Sequence, residues 1–206
     1  MKTKNKKLLD KKANREYYKK SDGQFMTLEQ ALFAHRHLDR VAWARKWVHE
    51  MASRSHIDIG CKDGYFCLTL ASEGIECVGI DPSEDAIEEA KLKASETKLD
   101  NMCKFMVGYA EDIPDKVGAD SVSCLEVLEH VVNPERLMNV LCRIGNIVLI
   151  STPDAKGKHG LKDSERNEEH LRLYSEKELM EFIKPYGKIL ECSVRDGQIC
   201  ICLKPE

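Results

Sequence analysis

The chain has 206 residues, 42% hydrophobic and 33% charged, with a formal net charge of −3. That is enough apolar material for one domain with its own core, and no window approaches the roughly 18 consecutive apolar residues of a spanning helix. Outside a basic N-terminal stretch the chain is acidic, which makes its body a poor electrostatic partner for bare nucleic acid.

Residues 1–20 carry nine Lys or Arg against Asp10 and Glu16, a net of +7, so the remainder carries −10. The stretch reads as a solvated arm without the apolar segment of a secretory signal. The expected division is a mobile arm over 1–26 and a domain over 27–206. Nine cysteines are scattered singly with no Cys-x-x-Cys, a pattern of reduced thiols serving as small core residues in a cytoplasmic protein.

Thr27-Leu28-Glu29-Gln30 has the form of a capping box. Apolar residues then recur with helical spacing at Leu28, Leu32, Leu38, Val41, Trp47, Val48 and Met51. Beyond it, apolar strands are expected over 55–59, 76–80, 102–107, 119–125 and 146–151, alternating with helices over 64–73, 83–96, 133–143 and 175–184. Ser83 before Glu84 and Asp85, Asn133 before Pro134, and Ser175 before Glu178 mark three helix starts. Asp196-Gly197 joins runs 188–195 and 198–203 as a tight hairpin. The expected fold is α/β: a doubly wound, mostly parallel seven-stranded sheet with helices on both faces and an antiparallel C-terminal hairpin.

In such sheets ligands bind beyond the carboxyl ends of the strands. The first strand ends in Asp58-Ile59-Gly60-Cys61-Lys62-Asp63-Gly64, and its glycines let a ligand approach the backbone ahead of a helix N-terminus. The spacing is not Gly-x-Gly-x-x-Gly, and Asp58 would repel a pyrophosphate but suit an ammonium. The second strand ends in Asp81, where an acid accepts hydrogen bonds from ribose hydroxyls. A nucleoside with a cationic amino-acid tail suits both acids.

These residues resemble the first two motifs of class I S-adenosylmethionine-dependent methyltransferases. Gly108-Tyr109-Ala110-Glu111-Asp112-Ile113-Pro114 resembles the family's adenine-side motif, and Ser123-Cys124-Leu125-Glu126-Val127-Leu128-Glu129-His130-Val131 the motif beside the transferred methyl. The resemblance implies S-adenosyl-L-methionine as cofactor, held by Asp58, Gly60, Cys61, Gly64, Asp81, Pro82, Ala110, Glu111 and Leu125. Three departures stand out. Lys62 replaces a usual glycine, implying a different φ there or an amine projecting to solvent. Tyr109 replaces an acid or amide, and Cys142-Arg143-Ile144-Gly145-Asn146 replaces the common turn before strand five.

A methyl on sulfonium is already electrophilic, so the protein's task is to align an acceptor lone pair and free it from its proton. His130 has the ordinary imidazole pKa suited to a hydroxyl proton, and with Glu129 it is the expected catalytic pair. A helix beginning by Glu126 would put Glu129 and His130, its i+3 and i+4 neighbours, on one face. His170 would arrive from the loop after strand five, and His159 would sit on a glycine-rich rim. The favoured reading is metal-independent O-methylation of a small-molecule or glycan hydroxyl, similar to quinone-pathway and saccharide-tailoring enzymes. In the alternative, Glu126, Glu129, His130 and His170 hold Mg²⁺ or Mn²⁺, similar to metal-dependent RNA 3′-terminal ribose 2′-O-methyltransferases. The acidic body favours the first over an RNA acceptor. A non-catalytic S-adenosylmethionine-binding subunit is the reading from another class.

Overall fold

The structure, a computed structural model, describes residues 39–156, 170–195 and 197–206. The expected arm over 1–26, the helix start at Thr27 and the rim at His159 lie outside them. Strands β1 (Ser55–Ile59), β2 (Glu76–Asp81), β3 (Cys103–Val107), β4 (Ala119–Leu125) and β5 (Gly145–Pro153) form a parallel set. Strands β6 (Gly187–Arg195) and β7 (Gln198–Pro205) form the antiparallel hairpin, and β7 pairs antiparallel with β5. The sheet order is β3-β2-β1-β4-β5-β7-β6, as the alternation of strands and helices implies.

Side chains alternate across the pleat, and each face has its own core. On one, Trp43, Val48, Leu68 and Ile87 from helices α1 (Asp39–Glu50), α2 (Tyr65–Ala71) and α3 (Glu84–Glu96) pack with Leu149 and Cys202. On the other, Leu137, Leu141, Leu179 and Ile183 from α4 (Pro134–Ile144) and α5 (Glu176–Ile183) pack with Ile57, Val148 and Ile201. All nine cysteines are free and seven are buried, so they act as small core side chains. Among the described residues no helix is long and apolar enough to cross a membrane.

The strands are less uniformly apolar than expected. His56, Ser121 and Ser123 are buried at 1%, 0% and 0% exposure, and each finds a hydrogen-bond partner inside the sheet. In α1, Val41, Trp43 and Val48 are buried, and the Trp47 indole donates to Glu191 at 2.8 Å, tying the helix to the hairpin. Met51 lies past the helix end and is exposed, so the apolar period stops one turn earlier than expected.

The helix starts form as their sequences imply. Ser83 accepts from the Ala86 amide, Asn133 from the Arg136 amide ahead of Pro134, and Ser175 and Glu178 complete a reciprocal capping box. Ser175→Ala removes one side of that box, so unfolding free energy should fall by about 1 kcal/mol while Ser175→Asp retains most of it. Urea denaturation measures this, and equal stability of Ser175→Ala would show that the cap does not hold α5.

Candidate active site

The sheet order reverses between β1 and β4, so a crevice opens where their carboxyl ends diverge. The loop after β1 forms one wall. Gly60 has φ +76° and a Cβ there would collide with the Val127 side chain, so glycine lets this loop touch the loop after β4. Gly64, at φ +81°, caps α2, and a Cβ on it would stand 2.6 Å from the Phe105 ring. The Gly60 and Cys61 amides both donate to the Ile80 carbonyl, at 2.8 and 3.2 Å, seating the loop on β2.

Lys62 takes a backbone conformation that glycine favours. Its φ is +50°, in the left-handed region, and its side chain is exposed. The exposed side chain agrees with an amine directed to solvent. The Lys62 amide donates to Asp81 Oδ2 and the Ser83 amide to Asp81 Oδ1, both at 2.9 Å, so Asp81 links the two loops. Burial raises the Asp81 pKa, and the two amides and the Lys62 ammonium oppose that rise.

Asp58 ends β1 inside the crevice floor, 4% exposed, where Ser123 on β4 donates to Oδ1 at 2.5 Å. Burial lifts its pKa to about 7, the Ser123 bond pulls down, and the Asp81 charge pushes up. Asp63, next in the loop, pairs with Lys93 of α3 at 3.0 Å, the side chains only 7% and 3% exposed. The Lys93 ammonium also lies 4.0 Å above the Tyr65 ring, the first residue of α2. Burial disfavours its charge, but Tyr65 and Asp63 more than offset this and its pKa is raised.

The second wall is the segment after β4. It is a turn, so the condition that a helix begins by Glu126 is not met: Glu126 takes φ +58°, and residues 128–130 form turns before α4 begins. This geometry separates Glu126 from its neighbours. Its carboxylate accepts from Ser151 at 3.2 Å, while Glu129 Oε2 accepts from Thr152 at 3.1 Å. Glu129 is fully buried, and burial followed by the Glu126 charge raises its pKa. Its Oε1 has no hydrogen-bond partner among the described residues and lies 3.9 Å from His130 Nε2. His170 meets His130 edge-on, with ring centroids 4.7 Å apart. One ligand atom from each of Glu129, His130 and His170 falls within 4.8 Å of the others, and Glu126 is outside this set.

Arg172 explains how His170 reaches the turn. Its guanidinium donates to the carbonyls of Leu128, Val131 and Val132, and the Leu171 amide donates to the Glu129 carbonyl at 2.9 Å. The remaining expected residues flank the crevice. Pro82, Glu111 and Leu125 are half-buried at strand ends or just beyond, and Ala110 opens a short 3₁₀ turn, Ala110–Asp112. The Ala110 methyl and the Cys61 thiol are buried in the two cores, so only backbone is left to meet a ligand there. Arg40 of α1 acts electrostatically on Glu126 and Glu129, so the start of that helix borders the site. A cavity of about 530 Å³ between Arg54, Asp120, Lys188 and Lys204 lies at the opposite end of the strands and is not part of it.

Sequence reading missed His56, Asp63, Lys93, Ser123, Thr152 and Arg172. A histidine within an apolar strand, and a lysine among Ala86, Ile87, Ala90 and Ala94 on the buried stripe of α3, were the available signals. Lys93→Met leaves Asp63 buried and unpaired, so stability should fall by about 3–5 kcal/mol, with Asp63→Asn in the same chain restoring part of it. A denaturation double-mutant cycle checks the pair, and strictly additive losses would rule out the coupling.

Residues 25–187 match a family profile described as a methyltransferase domain. The ubiquinone biosynthesis O-methyltransferase of Dechloromonas aromatica (strain RCB) is 34% identical over 118 residues, 55% of this chain and 50% of that protein. The protein of the same description from Escherichia coli O9:H4 (strain HS) is 29% identical over 157 residues, 69% of this chain and 63% of that one. The chain thus spans about half, and under two thirds, of the length of these curated relatives. Among solved structures, magnesium protoporphyrin IX methyltransferase (ChlM) of Synechocystis PCC 6803 with bound SAH superposes with a TM-score of 0.72 at 19% identity, over 96% of this chain and 100% of that one. The methyltransferase domain of bacterial CtHen1-CN does so at 0.65 and 16%, over 86% and 100%. At such identities the structures establish the fold, and the family profile over most of the chain establishes the kinship. The chain belongs to the class I S-adenosylmethionine-dependent methyltransferase family.

Proposed function

We propose that the chain transfers a methyl group from S-adenosyl-L-methionine to a hydroxyl of a small-molecule or glycan acceptor. The observation that carries this reading is the Glu129–His130–His170 cluster on the β4 side of the switch-point crevice. The O-methyltransferase description of the curated relatives supports it. In this reading Asp58 receives the cofactor's ammonium beside the glycine loop of Gly60, Cys61 and Gly64. Asp81, with Pro82 after it, takes the ribose hydroxyls, and Ala110, Glu111 and Leu125 border the base and the sulfonium.

The reaction forms an oxygen–carbon bond as the sulfur–carbon bond breaks, and the acceptor proton needs a base. His130 takes that proton, and the Glu129 carboxylate, when ionised, stabilises the resulting imidazolium from 3.9 Å. Alignment of the acceptor is the larger contribution, about 7–11 kcal/mol at its upper range.

A second reading has one observation in its favour: the same three side chains suit a divalent cation. One carboxylate and two imidazoles fit Mn²⁺ or a similar ion, although Glu126, turned toward Ser151, supplies no fourth donor. Such an ion would lower the pKa of an acceptor hydroxyl.

S-adenosylhomocysteine should stabilise the purified chain by about 2.7 kcal/mol at a hundred times its Kd. Asp81→Ala should remove most of the thermal shift, and no shift in the wild type would refute the cofactor assignment. His130→Ala should lower kcat roughly 10²–10⁴-fold on a responsive acceptor, with chelator having little effect. Loss of activity in chelator, restored by Mn²⁺ on an acceptor with a vicinal diol such as an RNA 3′ end, would favour the second reading instead.

A further inference from the structure

A file of buried polar groups runs along β1 and β4 to Asp58 at the crevice, and its members Ser121, His56 and Ser123 have no part in the reaction above. Register pairs His56 with Ser121 and Asp58 with Ser123 across the two parallel strands. Ser121 Oγ lies 2.8 Å from His56 Nδ1, His56 Nε2 lies 2.8 Å from Ser123 Oγ, and Ser123 Oγ lies 2.5 Å from Asp58 Oδ1. All four residues are buried, with the Phe66 ring edge-on to the imidazole at 5.3 Å between centroids.

Each hydroxyl has one proton to give, and so has a neutral imidazole. With Asp58 ionised, Ser123 must donate to it, His56 must donate from Nε2, and Ser121 must donate to Nδ1. With Asp58 protonated the file can run backwards: Asp58 donates to Ser123, Ser123 to Nε2, and Nδ1 to Ser121. Both arrangements satisfy every group and keep the ring uncharged, but they need opposite tautomers of His56. We propose that Ser121, His56 and Ser123 form a directional hydrogen-bond chain whose polarity follows the ionisation of Asp58, making His56 a positioning residue for the cofactor's ammonium. The inference rests on the proposed pairing of Asp58 with that ammonium.

The surroundings leave Asp58 as the group that titrates. Burial drives the His56 pKa down to about 3, so the ring stays neutral, whereas Asp58 stands at about 7. The other titratable groups acting with Asp58 are Asp81 on β2 and the thiols of Cys61, Cys67, Cys77 and Cys124, all raised by their surroundings, burial included, so the thiols remain protonated. A cationic ligand favours the carboxylate. Binding below the Asp58 pKa therefore releases one proton to solvent and sets His56 to the Nε2–H form, and affinity falls as pH drops through that pKa.

Nitrogen NMR of the full chain labelled in histidine, with the His56 signal assigned by its loss in His56→Gln, reads the tautomer directly. The free protein should pass from Nδ1–H at pH 5.5 to Nε2–H at pH 8, and S-adenosylhomocysteine at pH 6 should produce the Nε2–H form. One tautomer throughout, or an imidazolium appearing in that range, would overturn the proposal. Ser123→Ala removes the donor to Asp58 and should weaken S-adenosylhomocysteine binding roughly tenfold, with its acid limb moved to higher pH. Wild-type affinity and an unmoved limb in Ser123→Ala, with binding lost in Asp58→Asn, would sink the chain alone; wild-type binding by Asp58→Asn would sink the ammonium pairing beneath it.

Discussion

The parallel pairing of β1 with β2 on one side and β4 on the other is the constraint from which the site follows. The two neighbours of β1 are reached by connections leading in opposite directions, so the loops after β1 and β4 diverge above it. They still touch at one point, Gly60 beneath Val127, because glycine has no side chain to hold them apart. The loop after β1 is fastened to β2 and α3 through Ile80, Asp81 and Lys93, and the turn after β4 to β5 through Ser151 and Thr152. The crevice is thus framed by strands that are fixed by both cores.

Charge is distributed in the same economical way. Four acids of the site are met differently: Asp63 by a full ammonium, half-buried Asp81 by two backbone amides, Asp58 by one hydroxyl, and Glu129 by one hydroxyl, its second oxygen having no hydrogen-bond partner among the described residues. The first pairing neutralises charge within the protein. The others are met incompletely, the condition under which a carboxylate can serve a cationic ligand or a proton.

How much of this was legible in the sequence depended on whether the signal was local. Ser83, Asn133 and Ser175 announced their helices because a cap bonds an amide two or three residues away. Asp58, Gly60, Gly64 and Asp81 announced the loop because strand ends and positive φ leave a mark in composition. The turn at Glu126 left none: a glutamate at φ +58° defies local preference and is held by the Ser151 carbonyl on another strand. A helix beginning by Glu126 would have put it on one face with Glu129 and His130, and the turn leaves it outside their cluster. His56, Lys93 and Arg172 were equally silent, since their partners lie 65, 30 and about 40 positions away.

The bridge between Asp154 and Tyr174 bears on where this scaffold accepts new segments. The Ala155 amide reaches the Tyr174 carbonyl at 2.9 Å, and Arg172 bolts the returning strand to the turn after β4. The chain on either side of residues 157–169 is therefore held in place, at Asp154 and Ala155 before them and at Leu171, Arg172 and Tyr174 after them. Because Leu171 and Arg172 hold the turn directly, a change of chain length ahead of His170 leaves it beside His130. New segments could then be grafted there as a cassette without disturbing the Glu129–His130–His170 cluster.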